Sequence, residues 1–425
     1  MIRFLSAFVI LLLVLPTPVG KGQDAKVLQS LKDYLAETNG DFAWKELASQ
    51  AFAKQSLDAP TAKAAKEMLT QHHAGWVEEN RGQEMEDLVI QVGEHKLPFW
   101  YKVYGDKPEG GRSLFISMHG GGGAPKRVND QQWENQKKLY TPYEGVYVAP
   151  RAPVDAWNMW HVPQVDALFQ QLVEDMIVFE DVNPDRVYLM GYSAGGDGVY
   201  QIAPRWADHL AAAAMMAGHP NETTPDGLRN LPFCLQMGGK DAAFDRNKIA
   251  GQWEEKLKKL QEEDPQGYPH LVKIYPNYGH WMNREDAIAV PWMAKFQRNL
   301  FPERIIWKQD DVTHPRFYWL RNDAPKAKAR IVADWDGQHF TIGDHSDMEE
   351  VSVLLDDQMP GLKMDQDIKI SVGQQHWEVQ ATRTIGNLAQ TLWESGDPKM
   401  MMSGRVRIKL PPEDATQAEV VTGDQ

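Results

Sequence analysis

The chain has 425 residues, of which 42% are hydrophobic and 24% charged, and it carries a formal net charge of −14. That length exceeds what one hydrophobic core usually serves and predicts two or three units, while the composition excludes a disordered or fibrous chain. So acidic a surface repels nucleic acid and anionic membranes, which argues against both as partners.

In chain order, Arg3 is followed by the apolar run Phe4 to Leu15, which Pro16 and Pro18 break. The run is short for a bilayer span of about 20 residues. With Gly20 and Gly22 spaced like a cleavage site, residues 1–22 read as a signal peptide cut before Gln23, and the expected location is secreted or periplasmic. Its removal takes Arg3 and Lys21 and no acid, moving the charge from −14 to −16. The one cysteine, Cys234, excludes an intramolecular disulfide and lies in the apolar run Pro232–Met237, where it reads as a buried small hydrophobe. An exported chain without disulfides suits a bacterial periplasm or exterior.

Residues 23–85 form a helical segment, with helical spacing at Val27, Leu28, Leu31 and Leu35 and again from Ala62 to Trp76. From 86 to 300 the pattern changes to strands alternating with helices. Strands are expected at 87–92, 97–104, 113–118, 145–149, 186–190, 211–216, 231–237 and 271–275, with helices at 131–138, 165–179, 195–206, 246–260 and 284–296. Such alternation predicts a mostly parallel α/β sheet covered on both faces, with ligands bound outside the carboxyl ends of its strands. Residues 301–412 read as a small β-rich domain with strands at 317–320, 330–334, 340–342, 351–355, 368–372, 377–381 and 406–410, a tight turn at Asp336-Gly337 and one helix near 388–394. The polar tail 413–425 is expected to be disordered.

The strongest chemical signal is Gly191-Tyr-Ser193-Ala-Gly195, between a predicted strand and a predicted helix. On that sharp turn a serine stands exposed above the sheet, and bulk at either glycine would clash. Upstream, a strand runs into His119-Gly-Gly-Gly-Gly123. The amide of Gly121 or Gly122, with that of Ala194, is suited to hold a tetrahedral oxyanion, and His119 to stiffen the loop. A phosphate-binding loop is the rival reading, but no Gly-Lys-Ser/Thr follows. Downstream, Asp241 stands at the end of one strand and His280 in a glycine-bearing loop after the next, in the order Ser…Asp…His; Asp245 is the rival acid. Trp157, Trp160, His161, Tyr192 and Trp281 lie at loop ends that would border the cleft, where the indoles could stack on a sugar or aromatic group. Neither Asp334-x-Asp336-Gly337 nor His72-His73 has the spacing of a metal site, so no metal and no cofactor is expected.

Over roughly residues 90–300 this ensemble resembles the α/β-hydrolase superfamily, and within it the polyhydroxybutyrate depolymerase-like, feruloyl-esterase-like and prolyl-oligopeptidase-like serine hydrolases. Asn183-Pro-Asp-Arg-Val187 and Gly238-x-x-Asp241 are similar to the depolymerase-type pattern. The resemblance implies a hydrolase with Ser193 as nucleophile, His280 as base and Asp241 orienting it, acting through an acyl-enzyme on a small or polymeric carboxylic ester, carbohydrate-linked esters included. It departs from those families in having no disulfide and in its flanking zones. A peptidase uses the same constellation, and a non-catalytic binder on a hydrolase scaffold is the third reading. The stretch from Gly218 to Leu231 is too short for a large lid, so an open cleft is expected. Oligomeric state is not legible.

Overall fold

A computed structural model describes residues 21–37, 44–411 and 419–421. The first twenty residues, which hold nearly all of the signal-peptide reading, lie outside the described residues; Lys21 and Gly22 already stand in the first helix.

Three helices come first, α1 (Lys21–Glu37), α2 (Trp44–Ser49) and α3 (Ala59–Asp87). Asp58 starts the last by accepting the Thr61 amide, with Pro60 just inside the helix, and Leu88 in left-handed backbone ends it. The large sheet follows: β1 (Val89–Val92), β2 (His95–Tyr104), β3 (Arg112–Met118), α4 (Lys126–Gln136), β4 (Gly145–Pro150), α5 (Gln164–Phe179), β5 (Val182–Tyr192), α6 (Ala194–Arg205), β6 (Ala212–Met216), β7 (Phe233–Gly238), α7 (Arg246–Glu263), β8 (His270–Tyr275) and α8 (Ala289–Met293). Spatial order is β1-β2-β4-β3-β5-β6-β7-β8, with β1 and β2 antiparallel and β3 to β8 parallel. From β3 the chain moves one way to β4, then returns to place β5 on the other side of β3. That reversal opens a crevice at the carboxyl ends of β3 and β5, where α/β sheets bind their ligands.

Beyond this sheet lie β9 (Arg304–Lys308), β10 (Arg316–Phe317), β11 (Leu320–Arg321), β12 (Arg330–Asp336), β13 (His339–Ser346), β14 (Glu350–Leu355), β15 (Ile368–Val372), β16 (Gln375–Val379), α9 (Ile385–Ser395), β17 (Gly404–Lys409) and β18 (Glu419–Val421). They form two five-stranded sheets, β10-β11-β14-β17-β18 and β16-β15-β13-β12-β9. One cluster of buried apolar side chains fills one face of the large sheet and continues without a break into these two. It runs from Leu114 and Leu189 to Trp307, Trp319 and Phe340. A second cluster lies on the opposite face of the large sheet, and a third joins α1 and α3 to α9 through Leu31, Leu69, Leu388 and Leu392. Among the described residues no helix is long and apolar enough to cross a membrane.

Several local expectations change. Residues 317–320 are not one strand: Tyr318 adopts left-handed backbone and makes β10 and β11 a tight hairpin. The turn between β12 and β13 is Gly337-Gln338, one residue later than expected, since Asp336 still pairs with His339. The helix expected over 284–296 shrinks to α8 and a preceding short turn, because Asn283 and Arg284 both have positive φ. Strand β9 went unread, being a short apolar stretch between Pro302 and a polar loop. In the tail read as disordered, Glu419–Val421 pairs with β17.

Candidate active site

Ser193 caps α6 with φ 59° and ψ −122°, a conformation that costs energy for any residue with a side chain. It persists because β5 and α6 are both locked by packing, and its effect is to lift the hydroxyl out of the sheet. Gly191 lets the turn close: a Cβ there would sit 2.2 Å from the Gly195 carbonyl oxygen. Asp241 follows β7 and is buried, and His280 follows β8 with its side chain 44% exposed. His280 Nδ1 lies 2.7 Å from Asp241 Oδ2 and Nε2 lies 2.9 Å from Ser193 Oγ. A ring nitrogen facing a carboxylate carries the proton, so Nδ1–H donates to Asp241 and Nε2 accepts from the serine hydroxyl. The rival acid, Asp245, is exposed and pairs with Lys248 at 2.8 Å. The side chains at 193, 241 and 280 therefore form one hydrogen-bonded row. The side-chain exposure of His280 opens it to solvent, as the short 218–231 stretch implied.

The glycine loop after β3 is held by a residue with no signal in the sequence, Asn129 of α4. Its Oδ1 accepts the Gly122 amide at 3.1 Å, and its Nδ2 donates to the Gly122 carbonyl oxygen at 3.0 Å and to Asp155 Oδ1 at 2.7 Å. A Cβ on Gly121, whose φ is 121°, would overlap that Asn129 oxygen at 2.0 Å. Of the two loop amides considered, Gly122 is thus committed to Asn129, while Gly121 and Ala194 line the hollow at Ser193 and their amides have no protein acceptor among the described residues.

His119 sits beneath the loop. Its Nε2 accepts the Ala152 amide at 3.1 Å, and Nδ1 donates to the Gly120 carbonyl oxygen at 2.6 Å. Burial holds its pKa down at about 4, so it is a neutral strut. Trp160 corrects the expectation of a cleft-lining indole: it is fully buried, with its N–H donating to the His119 carbonyl oxygen at 2.8 Å. His161 likewise turns inward, with Nε2 buried and its ring edge-on to Trp157; burial lowers its pKa to about 4. Trp157 and Trp281 do stand at the cleft, 64% and 51% exposed. Tyr192 has its ring at the cleft, but its hydroxyl is spent elsewhere. It donates to the His280 carbonyl oxygen at 2.6 Å and accepts the Met282 amide at 3.0 Å, bracketing the loop that carries the imidazole.

Two hollows meet at Ser193. One, of ≈ 610 Å³, is lined by Val128, Gln132, Leu139, Tyr192, His280 and Trp281 among others. The other, of ≈ 270 Å³, is bounded by Trp157, Asp197, His219, Asn221, Phe244 and Arg246 as well as the glycine loop. Burial raises the Asp197 carboxyl to about 6, and it accepts the His219 amide at 2.6 Å. Arg246 has no signal in the sequence, and His219, at a loop end, reads there as a surface or core residue before a pocket one.

Residues 149–297 match the model of the dienelactone hydrolase family, a stretch that includes Ser193, Asp241 and His280 and stops short of the glycine loop. Three solved structures are similar in fold, each over 49% of this chain. A thermostable esterase is 16% identical, with 62% of its own length covered and a TM-score of 0.40. A ferulic acid esterase is 13% identical, with 95% covered and a TM-score of 0.36. A carboxylesterase from Mesorhizobium loti is 16% identical, with 99% covered and a TM-score of 0.33. The chain thus spans about three fifths of the thermostable esterase. No curated protein matches it in sequence.

Proposed function

From the premise of an α/β-hydrolase, we propose that the chain is a serine esterase cleaving carboxylic esters through an acyl-enzyme. The supporting observation is the row Asp241–His280–Ser193, at 2.7 and 2.9 Å, beside the glycine loop; the amides of Gly121 and Ala194 are the proposed oxyanion donors. Ser193 Oγ attacks the ester carbonyl carbon while His280 Nε2 takes its proton, and Asp241 stabilises the imidazolium that results. Charge developing on the carbonyl oxygen is met by the two amides, each such donor being worth on the order of 3 kcal/mol in the barrier. On collapse the carbon–oxygen bond to the alcohol breaks and the imidazolium returns the proton to the leaving oxygen. Water, deprotonated by the same nitrogen, then attacks the acyl carbon and frees Ser193.

A fluorophosphonate probe tests the mechanism. Labelling of the wild type that vanishes in Ser193→Ala, with ester turnover falling by about 10⁴-fold or more, is the expected outcome; a folded wild type that takes no label ends the enzymatic reading. Esters are proposed over amides because residues 149–297 match the dienelactone hydrolase family, whose name denotes hydrolysis of a cyclic ester. Cleavage of peptide amides with no turnover of aryl, acetyl or feruloyl esters would reverse that choice. Export is part of the proposal and rests on the run from Phe4 to Leu15. Amino-terminal sequencing of the protein from its native host is expected to begin at Gln23; a full-length cytosolic chain would refute it.

A further inference from the structure

The loop beside the nucleophile is built from residues that hold no shape of their own. A Cβ on Gly120 would sit 3.1 Å from that of Ser193, so the loop lies against the serine. The next two residues, Gly121 and Gly122, have φ 121° and 112°. Glycine enters that region as readily as its mirror image, so no side chain resists rotation of the peptide planes between them. A plane turned over would offer a carbonyl oxygen where an oxyanion needs an N–H donor. The planes must therefore be fixed from outside the loop.

Asn129 does this from α4, and it is wholly buried. It accepts the Gly122 amide at 3.1 Å and donates to the Gly122 carbonyl oxygen at 3.0 Å, gripping the peptide planes on both sides of that residue. A contact of 3.3 Å to the Ala124 carbonyl oxygen extends the grip. The side-chain amide can do this in one orientation only, since the other sets Oδ1 against a carbonyl oxygen and Nδ2 against an N–H. Asp155 supplies that orientation. Its Oδ1 accepts from Asn129 Nδ2 at 2.7 Å and also from Arg151. Burial opposes its charge, but those two donors outweigh burial and hold the carboxyl below its ordinary range. An ionised carboxylate can only accept, so it draws the donor end of the amide towards itself. Arg151 is buried and braced in turn by Asp130 of α4 at 3.0 Å and by the Ala152 carbonyl oxygen at 2.9 Å.

We infer that Asn129, aimed by Asp155 and Arg151, is a positioning residue for catalysis: it fixes the Gly121–Gly122 peptide planes so that the Gly121 amide is held for the oxyanion. The inference rests on the serine-esterase reading and adds the part that keeps the oxyanion site formed before substrate arrives. Asn129 lines neither hollow at Ser193, so its effect passes through the loop.

The test pairs turnover of a 4-nitrophenyl ester with inhibition by an aryl trifluoromethyl ketone. Ser193 Oγ adds to the ketone carbon, its proton passes to His280 Nε2, and the carbonyl oxygen becomes an oxyanion. The inhibition constant therefore reads the same donors as kcat/KM. Asn129→Leu, of like size, is expected to lower kcat/KM about 100-fold, mostly in kcat, and to weaken the ketone by the same factor. Asp155→Leu should lower both about tenfold; it strands no cation, because Arg151 keeps Asp130. The double variant should be no slower than Asn129→Leu alone, because Asp155 acts only through the asparagine. A purely structural role would lower the urea midpoint and leave turnover per fluorophosphonate-labelled serine as in the wild type. A folded Asn129→Leu within about threefold of wild-type kcat/KM overturns the inference, as does lost turnover with ketone inhibition unchanged, or additive losses in the double variant. Should Asn129→Leu not fold, Asp155→Leu decides, since residue 155 is exposed: undiminished turnover there overturns the inference. If the wild type takes the label and cleaves esters while the variants overturn the positioning role, the esterase reading stands; a wild type that takes no label ends both.

Discussion

At the scale of single residues, the position of the His280 imidazole depends on a hydroxyl that touches no reacting atom. Tyr192 sits at the end of β5 beside the loop that carries His280, giving its proton to one backbone group of that loop and accepting from another. Phenylalanine at 192 keeps the ring and deletes both bonds, leaving the buried Met282 amide unpaired at about 1–3 kcal/mol. Tyr192→Phe is expected to lower kcat about tenfold with KM little changed, and to slow fluorophosphonate labelling of Ser193 in parallel. A merely structural role would lower Tm while leaving turnover per labelled serine as in the wild type. Ser193, Asp241 and His280 could be grouped from the sequence because each follows a strand, and chain order alone brings such ends to one edge of a parallel sheet. Asn129 was not legible: one asparagine in a polar helix has no period or spacing to mark it, and only the loop it bonds gives it a role. Trp160 was misread for the same reason, since an indole near a loop end can point to cleft or core, and packing decides.

At the scale of elements, the amino-terminal helices are tied to the large sheet by charge. Arg81 of α3 reaches Glu174 and Asp175 of α5 at 2.5 and 3.3 Å, and His73 meets the same Glu174 at 2.6 Å. Both carboxyls are almost wholly buried; burial pushes that of Asp175 up to about 8, whereas His73 and Arg81 outweigh burial and hold that of Glu174 down, so the arginine helps make an ionised Glu174 tolerable there. Removing one partner of a buried ion pair leaves the other uncompensated. Arg81→Met is expected to cost about 3 kcal/mol in urea unfolding at neutral pH, with less loss in acid, where the carboxyls take up protons. An unchanged midpoint would show the contact to be superficial. The alternation of strand and helix from β3 to β8 was readable because each strand is an apolar run closed by turn residues. The carboxy-terminal strands were less so: β9 and the β10–β11 hairpin are too short for a period to declare itself, and β18 pairs only because β17 offers a free edge.

At the scale of the whole molecule, one apolar cluster runs from the large sheet into the two smaller ones across residue 300. Polar groups cross the same line. Arg298 is buried and binds Asp185 at 2.9 Å and Asp397 at 2.6 Å, and the Tyr318 amide donates to Asp208 at 3.1 Å. Residues 86–300 produced alone would expose that apolar surface and strand Asp208 and Arg298. They are expected to be insoluble, or to unfold without a cooperative urea transition, whereas residues 23–425 should show one; a soluble, cooperatively unfolding 86–300 fragment would show that the shared core is dispensable.

Local chemistry sufficed to single out Ser193, Asp241, His280 and the glycine loop as one group, because a strand-to-helix turn and a chain order are properties of neighbours along the backbone. Tertiary structure alone committed the Gly122 amide to Asn129, sent Trp160 inward and lined a small hollow with Arg246 and His219. Each of those outcomes depends on which side chains meet across the fold, and such meetings are set by burial and hydrogen-bond satisfaction among residues far apart in the chain.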